Sequence, residues 1–83
     1  MEQQLRSILD EFGGLKQPAE SLSLQDDLFA AGLTSFATVG LMLAIEDEFD
    51  IAIPDSLLAR STFRSIASLL EVIGSLKADD RVA

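Results

Sequence analysis

Apolar residues recur at helical spacing in three separate stretches of the 83-residue chain, and that periodicity constrains the fold more than any other feature. Leu5, Ile8, Leu9 and Phe12 stand at i, i+3, i+4 and i+7, one stripe of an amphipathic helix that Gly13-Gly14 ends. A second helix opens at Thr34 or Ser35, where a hydroxyl can cap the free N–H groups of the first turn, and runs to about Phe49. A third begins after Ser61 or Thr62 and carries Phe63, Ile66, Ala67, Leu70, Ile73 and Leu76 as its stripe, with Gly74 weakening its last turns by about 1 kcal/mol relative to Ala. Strand-like alternation is confined to Ile51-Ala52-Ile53, and its closeness to Pro54 makes it a connector. Pro54-Asp55-Ser56 starts one short helical turn through Leu57 and Leu58. The expected fold class is therefore all-α, a small bundle of three main helices plus one short helix.

The connection between the first two helices is the unusual part of this plan. From Gly14 to Thr34 the text is turn-rich, with Pro18, Ser21, Ser23 and Gly32, yet Leu22, Leu24, Leu28, Phe29 and Leu33 recur through it. A loop near 20 residues is uncommon in a small domain, and it reads as a long connection pinned to the core by those side chains, with a helical turn around Asp27 to Ala31. The second helix is apolar on two sides: Leu41, Met42, Ile45 and Phe49 share one face with Thr38, and Phe36, Val39 and Leu43 lie opposite, around Gly40. Such a helix is either sandwiched in a core or keeps one side for a partner. One domain over residues 1–77 and a flexible polar tail over 78–83 complete the expectation.

The inventory of side chains narrows the chemistry. There is no Cys, His, Trp or Tyr, so no disulfide, no thiolate or imidazole metal site and no Cys or His nucleophile or base is available. A serine hydrolase triad cannot be assembled without histidine. No metal site is expected: the carboxylates from Glu46 to Asp50 lack the alternating ligands and central glycine of a calcium loop, leaving only loose, generic association with divalent cations. The longest apolar run, Val39 to Ile45, is far short of the roughly 20 residues that span a bilayer, and Met1-Glu2-Gln3-Gln4 does not begin a signal peptide. A cytoplasmic protein that binds neither membrane nor nucleic acid, and is monomeric, is expected, since nothing in so acidic a chain neutralises phosphates along a groove.

Fourteen acids against six bases give a formal charge of −8, and its location is informative. No base occurs in the 43 residues from Gln17 to Ala59, which hold Glu20, Asp26, Asp27, Glu46, Asp47, Glu48, Asp50 and Asp55. The other six acids balance the six bases, so the whole net charge belongs to the middle of the chain. This is either an ordinary solvated surface or a docking surface for basic partners, which a one-signed patch steers toward itself.

Within that stretch, Asp27-Leu28-Phe29-Ala30-Ala31-Gly32-Leu33-Thr34-Ser35-Phe36 is followed by Glu46-Asp47-Glu48-Phe49-Asp50 and then Ile53-Pro54-Asp55. Together, and over roughly Leu5 to Leu76, these resemble the acyl carrier protein family, in which a serine follows Gly-Leu-X at the start of the second helix. Ser35 matches that serine. The resemblance implies that Ser35 carries a 4′-phosphopantetheine arm delivered from coenzyme A by a phosphopantetheinyl transferase, and that the protein is a non-catalytic carrier. Physically the position suits a phosphodiester, because a helix N-terminus offers free N–H groups and positive dipole potential. For an isolated serine, a plain helix cap beside Thr34 would be the default reading.

Members serving fatty acid synthesis usually have Asp before the serine and further acids along the first turns of the helix; the corresponding neighbourhoods here read Thr34, Ala37 and Gly40. Partner contact is accordingly expected through Thr34, Phe36, Val39, Gly40 and Leu43, with Glu46 and Asp47 lower down. Gly32 to Val39, with Leu57-Leu58-Ala59-Arg60 and Thr62-Phe63, looks more like the small stand-alone aminoacyl carrier proteins of bacteria. These are loaded by amino acid:carrier protein ligases, truncated relatives of class II seryl-tRNA synthetases. The resemblance implies ATP-dependent loading in two steps by that partner, with glycine or alanine as cargo and a downstream acceptor that the sequence does not identify. A fatty acyl or polyketide carrier, and an unmodified acidic helical adaptor that binds a partner through Phe36, Val39 and Leu43, are the alternatives.

Overall fold

The structure, a computed structural model, describes residues 1–77 in full and the backbone alone to residue 82, so the tail expected over 78–83 lies outside the fully described residues. Three α-helices, α1 (Glu2–Phe12), α2 (Ser35–Phe49) and α3 (Ile66–Val82), are joined by segments that contain 3₁₀ turns at Ala19–Ser21 and Asp55–Leu57. There is no strand among the described residues. The bundle is all-helical as its periodicity requires, and the short turn after Pro54 is present, but the turn at Ala19–Ser21 was not foreseen. Leu5, Ile8 and Leu9 of α1 meet Leu41, Ile45 and Phe49 of α2 and Ile66, Leu69 and Ile73 of α3 in one buried core. α1 lies against both other helices, whereas α2 and α3 scarcely approach each other.

Phe12, placed on the α1 stripe by spacing, is 45% exposed. It is the last helical residue, and the chain turns away at Gly13, whose N–H still reaches Leu9 O at 2.9 Å. Leu24 likewise stays outside at 38% exposure. It pins the long connection by its backbone instead: Leu24 O accepts from Ala67 N at 2.9 Å, in the first turn of α3.

Side chains of α1 hold most of the rest of that connection. Arg6 Nη1 donates to Ala19 O at 2.6 Å and Leu22 O at 2.8 Å, and Asp10 Oδ1 accepts from Ala19 N at 2.7 Å. Leu22, Leu28 and Leu33 are buried. The expected turn at Asp27–Ala31 forms, with Asp27 Oδ1 taking Phe29 N at 2.9 Å and Ala31 N donating to Asp27 O at 3.1 Å. Lys16 N donates to Ala31 O at 2.9 Å, drawing the two ends of the connection together beside Gly32. Only glycine suits that place: its φ is +120°, and a Cβ there would sit 3.1 Å from Lys16 N.

The third helix starts at Ile66, not after Ser61 or Thr62. Thr62 N and Phe63 N are spent on tight turns to Ala59 O and Arg60 O. The helix signal lies further on, in a reciprocal cap: Ser68 N donates to Ser65 Oγ and Ser65 N to Ser68 Oγ, both at 3.1 Å. Phe63 is buried but precedes the helix.

Candidate functional site

The site grows from the start of α2. Thr34 has extended backbone, and its Oγ1 accepts from Ala37 N at 3.1 Å, so Thr34 is the cap. That leaves Ser35, the first residue of the helix, exposed, with its Oγ making no hydrogen bond among the described residues. The plain-cap reading of Ser35 therefore has its role filled by its neighbour. No acid stands in the first turn, and the amides that open a helix lack acceptors within it. A nucleophilic hydroxyl free to be modified thus stands where the local field favours an anion.

Beside Ser35 opens a cavity of about 350 Å³ between α2 and the segment that leads to α3. Ser35, Thr38, Val39 and Met42 line one side; Phe29, Leu58, Arg60 and Phe63 line the others. Arg60 Cζ stands 3.9 Å from the centroid of the Phe29 ring, a cation–π contact. The wall facing Ser35 is thus apolar except for one guanidinium. This donor set fits a phosphopantetheine group: an accessible hydroxyl for the phosphodiester, a positive helix end, and a largely apolar trough alongside.

Past Ser35, the outer side of α2 is bare. Phe36 is 90% exposed, Val39 57% and Leu43 56%, which settles the two-sided helix in favour of an open face. A Cβ on Gly40 would meet no heavy atom within 4 Å, so packing inside the molecule does not require glycine there. Thr34 and Asp47 are exposed. Glu46 is half-buried, and its Oε2 accepts from Ile53 N at 2.8 Å while its carbonyl takes the amides of Asp50 and Ile51. It organises the left-handed turn at Asp50 (φ 54°), and Lys77 Nζ donates to Phe49 O at 3.0 Å from the other side. The structure thus brings Thr34, Ser35, Phe36, Val39, Gly40 and Leu43 onto one end and side of α2, with Glu46 committed to the fold below them.

Sequence reasoning missed the cavity's far wall. Arg60 had no assigned role, Leu58 was placed only in a short turn and Phe63 on a helix stripe, because nothing in helical spacing tells which residues of an irregular segment face a site. Among the described residues no helix is long and apolar enough to cross a membrane.

Open serine, positive helix end and apolar flank define a carrier domain. Residues 3–73 match the family model described as a phosphopantetheine attachment site. The chain belongs to this phosphopantetheine-binding acyl carrier protein family. It is 48% identical over 69 residues to the aminoacyl carrier protein of Agrobacterium fabrum, covering 83% of each chain. To aminoacyl carrier protein 1 of Bradyrhizobium diazoefficiens it is 38% identical over 55 residues, 66% of this chain and 61% of that one. Among solved structures it resembles the carrier protein of Agrobacterium tumefaciens crystallised with an engineered Bradyrhizobium japonicum glycine:[carrier protein] ligase and AMP. The TM-score there is 0.86 at 46% identity, over 89% of this chain and 99% of that one. A solution structure of an A. tumefaciens protein, ATC2521, superimposes with TM-score 0.77 at 42% identity over the whole of both chains.

Proposed function

We propose that this protein is an aminoacyl carrier, modified on Ser35 with 4′-phosphopantetheine and loaded with a small amino acid, glycine or alanine, by an amino acid:carrier protein ligase. The observation that carries the reading is the likeness to a carrier protein solved in a complex with a glycine:[carrier protein] ligase. When bound, the arm supplies the thiol that the polypeptide lacks and holds the amino acid as a thioester. The chain's own residues do the rest. Ser35 offers the attachment oxygen, the opening amides of α2 face the phosphodiester, and Thr34 fixes the helix end by capping it.

The bare strip of Phe36, Val39 and Leu43, with Gly40 between them, supports docking of the ligase by apolar contact and close backbone approach. Glu46 and Asp47 supply a polar margin to the same surface. The protein itself is non-catalytic, works as a monomer in the cytoplasm, and is primed by a phosphopantetheinyl transferase before the ligase acts.

Intact mass after incubation with coenzyme A and a phosphopantetheinyl transferase tests the first half. A single phosphopantetheine increment is expected in the native protein and none in Ser35→Ala; a gain that persists in Ser35→Ala overturns the attachment site. Supplying the modified protein with ATP, amino acids and the ligase, or with fatty acids and their loading enzyme, tests the second half. Thioester formation only with fatty acid would overturn the aminoacyl assignment.

A further inference from the structure

Arg60 is the first base after the 43 residues that contain none, and it is the one charged residue among those lining the cavity beside Ser35. Its guanidinium is exposed and forms no ion pair among the described residues; it rests on the Phe29 ring at 3.9 Å. A cation–π contact at an exposed position is weak, because water screens it. An anion with two free oxygens competes well against it, because a planar guanidinium binds such groups through paired, charge-assisted hydrogen bonds. Ser35 and Arg60 share the rim of a space of about 350 Å³. An anion on Ser35 would enter that same space, within which the long arginine side chain can turn.

We propose that Arg60 is a positioning residue for the phosphodiester on Ser35: in the unmodified protein it is parked on Phe29, and in the modified protein it leaves the ring to pair with the phosphate. This rests on Ser35 being the attachment site. The consequence is directional. With its phosphate held between the opening amides of α2 and Arg60, the arm leaves Ser35 along the trough bordered by Val39, Met42 and Phe63, beside the bare strip of α2 where the ligase is proposed to dock. Neither Arg64 nor Lys16 is placed to substitute, since neither lines the cavity.

NMR spectroscopy of the unmodified and modified protein tests this in the native chain, Arg60→Gln, Arg60→Lys and the charge-matched control Arg64→Gln. Intact mass first establishes that each sample carries the group; failure of the native protein to take it up overturns the attachment site and this inference with it. On modification of the native protein, the Arg60 Nε–Hε resonance and the Phe29 ring protons are expected to shift. The ³¹P resonance of modified Arg60→Gln should move relative to native and lose its sensitivity to salt, Arg60→Lys should fall between, and Arg64→Gln should match native. Modified protein in which the ³¹P resonance is the same in native and Arg60→Gln, with the Phe29 ring protons unmoved, overturns the role of Arg60 while leaving Ser35 as the attachment site.

Discussion

Arg6 and Asp10 sit one helical turn apart on α1 and between them take up two carbonyls and one amide of a segment that sequence periodicity leaves without structure. Arg6 is only 12% exposed, so deleting it strands Leu22 O beneath the helix and leaves Ala19 O with only its turn bond from Leu22 N. Arg6→Ala is expected to destabilise the fold by about 2 kcal/mol. In a domain of this size that lowers the thermal midpoint by about 10 °C, which calorimetry would read. Nearby, Asp26 has its carboxyl held below the usual carboxylate range, first by the backbone N–H of Ser23, which donates to Oδ2 at 2.9 Å, and then by the Ser23 hydroxyl. A depressed folded value means stability that is present above the ordinary aspartate range and is lost as pH falls through the folded value. Asp26→Asn should therefore melt slightly below the native protein at neutral pH, with the two midpoints converging in acid. Equal midpoints at both pH values would show that the Ser23 contacts contribute nothing. The Arg6 and Asp10 contacts could not be read beforehand, because an arginine or aspartate on the polar side of a helix carries no mark of whether its partner is water or a distant backbone group.

The three helices were legible because burial imposes a period on them: Leu5, Ile8 and Leu9, then Leu41, Ile45 and Phe49, then Ile66 and Ile73 all fall inside, although the third stripe counted Leu70, which is half-buried, and passed over Leu69, which is fully inside. Ser35 was singled out by its motif, and the apolar residue count of α2 posed two options, a sandwiched helix or an open face, between which only the packed structure decides for the open strip. The start of α3 was not. Phe63 continues the apolar period backwards but is buried from a turn, and the boundary is set by the Ser65–Ser68 exchange of hydrogen bonds, which leaves no trace in hydropathy. Gly40 separates the demands of the element from those of its partner. Alanine there meets nothing within 4 Å, so Gly40→Ala is expected to raise the stability of α2 by about 1 kcal/mol. The same change should raise the KM of the ligase for the carrier, because a methyl group would stand where close approach is proposed. A more stable variant loaded with unchanged kinetics would remove Gly40 from the docking surface.

Across the whole molecule, eight acids without a base between Gln17 and Ala59 repel one another, and the Arg6–Glu2 contact at 2.9 Å is the one ion pair among the described residues. Screening thus removes much repulsion and little attraction. Moderate salt is expected to raise the melting temperature, and divalent cations to do so at lower concentration; a flat or falling midpoint would show that the acids are already well solvated apart. The long first connection suggests something of practical use. Backbone bonds join Lys16 to Ala31, Leu24 to Ala67 and Leu28 to Arg64, so its anchorage is spread on both sides of the exposed Gln25. Extra residues spliced in at Gln25 would disturb the tight Ser23–Asp26 turn, making that tip a graft point for a fluorescent reporter or an affinity handle that leaves the second helix untouched.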